Sequence, residues 1–310
     1  MTPFPVGLLW SPDRKDPRAH LLRKYFVFMI VPMINVDGVF RGHFRLDSLN
    51  QNLNRYYDNT DPKKHPPVFG VKRLIEHLNE DKRLCFFCDY HGHGGMKSCF
   101  FYGNHMNFGM QVEAKLFAKI FSMNSMHFDE TICNFSKKQM RARDKSEKLT
   151  KEGCARVFAY KKCNIPHSYT LEMAYHKSTS LNELPFVAKN TQNGEQLQED
   201  QVSDISSSIY KNGPPFYNIE IYEDIGKSLL VSILDLFDKN QFSRISTSKY
   251  KEISAVRVEV AKQLNEEIPK EVKIPKDRIE NASELADRLF YKSLVDSFFQ
   301  AAFTWLNFGG

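Results

Sequence analysis

The sequence is short of several things, and each shortage excludes something. Six cysteines in 310 residues are too few for a disulfide scaffold. Cys85 and Cys88 form a C-x-x-C pair, but on a strand their side chains point to opposite faces, which suits packing better than ligation or redox chemistry. Cys99, Cys133, Cys154 and Cys163 sit singly among apolar residues, so the chain reads as the product of a reducing compartment. No apolar stretch is long enough to cross a bilayer. Met1 to Trp10 is apolar, but Pro3 and Pro5 interrupt it and it carries no basic residue, so it is a poor signal peptide. The expectation is a cytoplasmic protein with no membrane partner. No long Lys/Arg block is present, and neither is a helix-turn-helix, zinc-finger or RNA-binding signature. Nucleic acid is therefore not the expected partner, although the formal charge is +6 and the pI about 8.8.

What is present can bury a substantial core. Hydrophobic residues make up 42 % and aromatic residues 13 %, at a mean hydropathy of −0.46. Tyr25 to Met33 is a strongly apolar run, expected to be a parallel strand buried on both faces. Asn35-Val36-Asp37-Gly38 follows as a turn signal. Residues 40 to 60 are rich in Asn, Arg, Asp and Tyr and read as a functional loop. Val68, Val71, Leu74, Ile75 and Leu78 are spaced for a helix over 67–79. Ser98 to Tyr102, Cys154 to Tyr160 and Ser168 to Met173 read as further strands, and Met110 to Phe121 as a helix. This alternation argues for an α/β layered architecture. Residues 187–213 are polar, as a surface loop would be. Ile221 to Phe237, Thr247 to Glu267 and Ala282 to Phe303 are predicted helical.

The chain is organised around Cys85-Phe86-Phe87-Cys88-Asp89-Tyr90-His91-Gly92-His93-Gly94-Gly95. An apolar run of strand length ends in an acid, two histidines and three glycines. Imidazoles at a strand end, beside an open glycine turn, can hold a metal where a substrate reaches it. The same residues also suit a strand running into a solvated loop, because a metal site needs more ligands than this stretch supplies.

Four groups stand in chain order: Asn35-Val36-Asp37-Gly38 with Arg45 downstream, Asn52-Leu53-Asn54-Arg55, Asp89-Tyr90-His91-Gly92-His93, and Tyr169-Thr170-Leu171-Glu172. With Val39 to Arg45, Phe101 to Asn104, His127 to Asp129, Cys133 to Ser136 and Glu152 to Val157, they resemble the zinc metallocarboxypeptidases. More narrowly, they resemble the cytosolic carboxypeptidases that remove glutamates from tubulin and other acidic tails. The resemblance implies an α/β fold, a mixed and mostly parallel sheet with helices on both faces. It divides the chain into an unmatched leader (1–13), a catalytic domain (14–240, with the polar loop) and a helical extension (241–310). It implies zinc, with His91 aligned to the third ligand and Asp89 and His93 as supporting or rim groups. It implies Glu172 as general base, Arg45 as the stabiliser of the oxyanion, and Asn54 and Arg55 as the grip on the terminal carboxylate. Arg156 would select a glutamate side chain by charge. The expected partners are polyglutamylated or acidic-tailed proteins, tubulin foremost, with microtubules as the place of action. The basic stretch Lys137 to Lys151 would recruit such a tail by steering, or else is simply a solvated loop.

One departure stands out. The family takes its other two zinc ligands from a His-x-x-Glu upstream of the first matched strand, and no such motif precedes Asp16. The fold is therefore expected to be truncated on its N-terminal side, with the zinc ion incompletely ligated. His127 to Glu130 has the motif's spacing but falls after the third ligand, where chance is the better account. A short form that binds acidic tails without cutting them is the alternative to an active hydrolase.

Overall fold

The computed structural model describes residues 16–80, 82–143, 149–187, 213–268, 273–282 and 299–305, the last of these by backbone alone. The chain divides into two compact units. One comprises Met1–Tyr25, Lys115–Glu130 and Lys177–Val295; the other comprises Phe26–Ala114, Thr131–His176 and Asp296–Gly310.

The second unit holds the sheet. Its strands are β1 (Phe26–Val31), β2 (Leu84–His93), β3 (Cys99–Tyr102), β4 (Ser168–Ala174) and β5 (Phe299–Trp305), in spatial order β1-β5-β2-β4-β3. Every pairing is parallel except β3 with β4. The sheet is thus mixed and mostly parallel, the α/β arrangement anticipated from the sequence. Strand β2 is buried from Leu84 through Tyr90, as its unbroken apolar run requires of a strand covered on both faces. Strand β1 departs from expectation. Among the described residues it pairs with β5 alone, and there only Phe26 of the strand is fully buried while Val27 is 43 % exposed.

The helices of this unit are α1's successors in chain order, where α1 is Pro17–Tyr25 of the other unit. Helix α2 (Val36–Phe40) replaces the turn expected at Asn35 to Gly38, because the Asn35 side chain accepts from Gly38 N–H and caps a helical turn. Helix α3 (Pro66–Leu78) starts with proline in its first turn and buries Val68, Val71, Ile75 and Leu78 as one stripe. That stripe meets Leu84 and Phe87 of β2 and Ala155, Phe158 and Ala159 in one core. Fully burying a side chain of this size stabilises by about 1.5–3 kcal/mol, so Phe87 and the stripe together fix how β2 is held.

Two further segments differ from the sequence expectation. Cys154 to Tyr160 is not a strand: Ala155–Cys163 is a helix, preceded by extended Cys154 and closed by Asn164 in the left-handed region (φ 54°). Only Arg156 interrupts the apolar residues of 154–160, so strand and helix periods fit the segment alike, and as a helix it buries Ala155, Arg156, Val157, Phe158 and Ala159. Residues 299–305 are not helical either. They pair on both sides as the central strand β5, and tertiary pairing overrides local propensity there. Of the predicted helix 282–303, residues 283–298 lie outside the described residues, as does most of the polar loop 187–213.

The first unit is helical in its described residues. Ile219–Leu236 buries a broad apolar face, and Ile253–Glu266 buries Val256, Val260, Ala261 and Leu264. Asn124 bonds Ser232 at 3.1 Å and Asp235 at 2.7 Å, tying the end of helix Phe108–Asn124 to Ile219–Leu236.

Candidate active site

The sheet itself brings two distant residues together. Strands β2 and β4 run parallel with His91 opposite Glu172 in the ladder. Neighbouring strands lie about 4.8 Å apart and partners in register share a face, so an imidazole and a carboxylate stand side by side near the ends of two buried strands. Nothing local in the sequence sets this register, which comes from pairing across some eighty residues of chain.

Asp89, fully buried, faces inward beside His91. Its Oδ2 lies 2.8 Å from His91 Nε2 and accepts from Asn54 Nδ2 at 3.1 Å. A carboxylate only accepts, so His91 donates from Nε2 to it, and Asn54 Nδ2 lies 3.1 Å from the same nitrogen. Burial disfavours the charged imidazole, but the Asp89 charge and hydrogen bond, with Glu172, more than offset this. The His91 pKa is raised, with Arg55 opposing. His93 is held differently: its Nδ1 accepts from Gly95 N–H at 3.1 Å and Met96 N–H at 3.0 Å.

Two 3-10 turns close the other side. Leu53–Arg55 carries Asn54 and Arg55, and Lys151–Gly153 packs directly against it. Tyr57 N–H donates to Gly153 O at 3.0 Å, and Ala155 N–H donates to Asn54 Oδ1 at 2.9 Å. A Cβ at Gly153 would meet Arg55 O at 2.3 Å, so this close approach needs glycine. Asn54 therefore reaches the site with its amide bonded at both ends. Arg55 donates from Nη1 to Asn54 O at 2.7 Å.

Arg156 sits in the first turn of Ala155–Cys163 and is 3 % exposed. Its Nε donates to Gly103 O at 3.0 Å, and its Nη1 lies 3.5 Å from both Cys154 Sγ and Thr170 Oγ1. Its Nη2 is buried with no hydrogen-bond partner among the described residues. Lys151 is partly buried, and burial, then repulsion from Arg55 and Arg156, lowers its pKa against the pull of Glu172 and Cys154.

These side chains line one cavity of about 260 Å³, with Arg45, Asn54, Arg55, His91, Arg156 and Glu172 all on its wall. Arg45 is exposed at its mouth and Glu172 is 8 % exposed. The structure thus brings every site residue expected from the sequence to one hollow. It adds Lys151 and Tyr102, which sequence reasoning missed as site residues: Lys151 was merged into a basic stretch, and Tyr102 was read only as the end of a short strand.

A catalytic zinc takes three protein ligands and a water. Among the described residues no three His, Cys, Asp or Glu side chains gather to hold a metal ion. His91 offers Nδ1, but Asp89 Oδ2 is engaged with His91 and Asn54, and His93 Nδ1 with backbone. The His127 to Glu130 spacing does not supply the lack: His127 Nδ1 lies 3.2 Å from Ser178 Oγ, and Glu130 pairs with Lys119 at 2.8 Å. The described residues alone do not fit a zinc ion.

An α/β sheet ending two neighbouring parallel strands in an imidazole and a carboxylate, under a hollow rich in arginine, places the chain in the class of carboxypeptidase-like α/β domains. The chain belongs to the zinc carboxypeptidase (peptidase M14) family, whose model matches residues 9–201. It is 28 % identical over 349 residues to cytosolic carboxypeptidase-like protein 5 of Danio rerio, covering 81 % of this chain and 38 % of that protein. Against the Homo sapiens protein of the same name the identity is 29 %, covering 84 % and 38 %. Cytosolic carboxypeptidase 2 of Mus musculus is 34 % identical over 166 residues, 53 % of this chain and 18 % of that protein. The chain thus spans less than two fifths of the length of these curated relatives. Among solved structures, a metallo-carboxypeptidase from Burkholderia cenocepacia superposes with a TM-score of 0.52 at 23 % identity, covering 76 % of this chain and 51 % of that one. At that identity the likeness establishes the fold alone.

Proposed function

We propose that this chain forms the tail-gripping part of a zinc metallocarboxypeptidase that removes glutamates from acidic C-terminal or side-chain tails of proteins such as tubulin, in the cytoplasm and on microtubules. The observation that carries this reading is charge. Arg45, Arg55, Lys151 and Arg156 line one hollow, and among the described residues Glu172 is the one carboxylate on its wall. Arg55 offers a planar fork for the terminal carboxylate, with Asn54 fixing the turn beneath it. Arg156 offers a buried donor to the terminal side chain. Glu172 is placed to take a proton from an attacking water, and Arg45 at the mouth to stabilise the developing oxyanion. Were zinc held by His91 together with ligands beyond the described residues, it would supply an activated water.

A second reading, binding of acidic tails without hydrolysis, is favoured by one specific observation: no metal-holding trio forms among the described residues. One experiment separates the two. The purified chain is analysed for zinc and assayed for glutamate released from a polyglutamate peptide. Stoichiometric zinc with turnover excludes the binding-only reading. Tail binding without zinc or turnover excludes hydrolysis by this chain.

A further inference from the structure

One imidazole holds both flanks of the turn that carries Asn54 and Arg55. His65 is buried at the entry to helix Pro66–Leu78. Asp61 N–H donates to its Nδ1 at 3.1 Å, so that nitrogen keeps its lone pair and the ring proton sits on Nε2. Nε2 then donates to Gln51 Oε1 at 2.9 Å. The face of the ring stacks on Tyr56, with centroids 4.1 Å apart and planes 26° from parallel. Gln51 stands just before Asn52, which caps the 3-10 turn Leu53–Arg55, and Tyr56 ends it. The turn is thus bracketed from both ends by a single side chain.

Each group that His65 touches is itself anchored. Gln51 N–H donates to Asp47 Oδ1 at 2.8 Å, and Gln51 O accepts from Asp47 N–H at 2.9 Å. Asp61 O accepts from His65 N–H at 2.7 Å, and Asp61 Oδ1 accepts from Lys63 N–H at 2.8 Å. The bracket needs a neutral ring, because a proton on Nδ1 would point at the Asp61 N–H. Burial lowers the His65 pKa against the pull of Asp47 and Asp61, with Lys64 adding to the fall, so the ring is neutral at pH 7. Arg55 Nη1 donates to Asn54 O at 2.7 Å, so the guanidinium moves with the backbone that His65 brackets. A bidentate hold on a carboxylate depends on that orientation, and a donor already oriented loses little conformational entropy on binding.

We propose that His65 is a positioning residue: without touching the ligand, it sets the angle at which Arg55 meets the main-chain carboxylate of a bound peptide. His65 is not on the cavity wall, whereas Asn54 and Arg55 are. It acts through Gln51 on one side and Tyr56 on the other. The inference deepens the tail-gripping reading above and rests on it.

The test is equilibrium binding by fluorescence anisotropy to a labelled octaglutamate peptide and to its twin with an amidated C-terminus. A chelator is present so that neither is cleaved. The ratio of the two dissociation constants measures the hold on the main-chain carboxylate. The full chain is compared with His65→Phe, which keeps a ring to stack and loses both ring hydrogen bonds, and with Gln51→Leu, which leaves the imidazole in place. Each is checked by far-UV circular dichroism. His65→Phe is expected to lower the preference for the free acid about tenfold, as for loss of one bond to a charged group, and Gln51→Leu about threefold. Binding of the amide should stay within about twofold of the parent's in both. Should His65→Phe fail to fold, Gln51→Leu decides alone. Equal weakening of both peptides overturns the assignment, since it marks a general loosening of the site. A preference for the free acid that both variants retain in full also overturns it, and leaves the tail-gripping reading standing. A parent chain that binds acid and amide alike overturns that reading, and the role of His65 with it.

Discussion

Replacing Asn54 with alanine removes an amide that is bonded at both ends. Its Oδ1 accepts from Ala155 N–H at 2.9 Å and its Nδ2 donates to Asp89 Oδ2 at 3.1 Å. Asn54 is 5 % exposed and Asp89 0 %, so water does not readily take over either role. Alanine would leave the Ala155 N–H without its acceptor and take a donor from a buried carboxylate. The buried amide left unsatisfied costs about 1–3 kcal/mol and the hydrogen bond lost from the charged carboxylate about 1.5–3 kcal/mol, so the pair predicts a loss of about 2–6 kcal/mol. Against a total stability of about 5–15 kcal/mol this is a large fraction. The assay is urea unfolding followed by circular dichroism, with hydrogen exchange at the Ala155 amide as the local probe. Exchange there should quicken before the sheet melts. A residue that only touches substrate gives the opposite result, loss of peptide affinity with unchanged stability. An unfolding free energy within about 0.5 kcal/mol of the parent, the range of an ordinary surface change, would refute the view that Asn54 pins the carboxylate-grip turn to Asp89 and helix Ala155–Cys163.

Gly153→Ala forces a methyl against Arg55 O at 2.3 Å. It should cost about 1–3 kcal/mol and weaken binding of a glutamate-ended peptide; unchanged affinity would show that this turn does not hold Arg55. His127, buried in the first unit, has its pKa pulled down by burial from 6.5 to about 4. The unfolded chain takes a proton there before the folded chain does, so stability that is complete above about pH 6.5 is lost as pH falls toward about 4, in all about 3 kcal/mol. His127→Gln should flatten that slope in unfolding free energies measured at about pH 7 and about pH 5, and an unaltered slope would assign the acid sensitivity to other groups. Arg45→Gln, exposed at the mouth, should change stability by less than about 0.5 kcal/mol. Where glutamate release is measurable it should slow turnover by about a hundredfold or more, whereas a fall in peptide affinity instead would place Arg45 on the bound carboxylate.

Much of the fold was legible, for identifiable reasons. The run ending in Asp89-Tyr90-His91 reads as a buried strand because nothing polar interrupts it. Helix Pro66–Leu78 reads as a helix because four residues repeat on one stripe. Ala155–Cys163 was illegible by period because Arg156 alone interrupts the apolar residues of 154–160, although Lys161, Lys162 and Asn164 at its end were helix-stop signals in plain view. Strand β5 was illegible because its state is decided by two neighbours far away in sequence. At the site, residue types were readable, but the facing of His91 and Glu172 was not, since register belongs to the pairing and not to either strand. Lys151 stood out only as one charge in a basic stretch, because its place on the cavity wall beside Arg156 is a relation that spacing does not encode.

The position of β5 between β1 and β2 has a consequence for how the chain emerges during synthesis. Strand β2 ends at His93 and β5 begins at Phe299, so β1 and β2 leave the ribosome long before the strand that joins them exists. At bacterial to eukaryotic elongation speeds that interval is roughly 10–40 s. Throughout it, two facing strand edges stand open on the nascent polypeptide, ready to pair with each other or with a neighbouring nascent chain. Chaperone engagement should therefore fall in that window, and ribosome-stalled lengths ending before residue 299 should be far more protease-sensitive than those extending past residue 305.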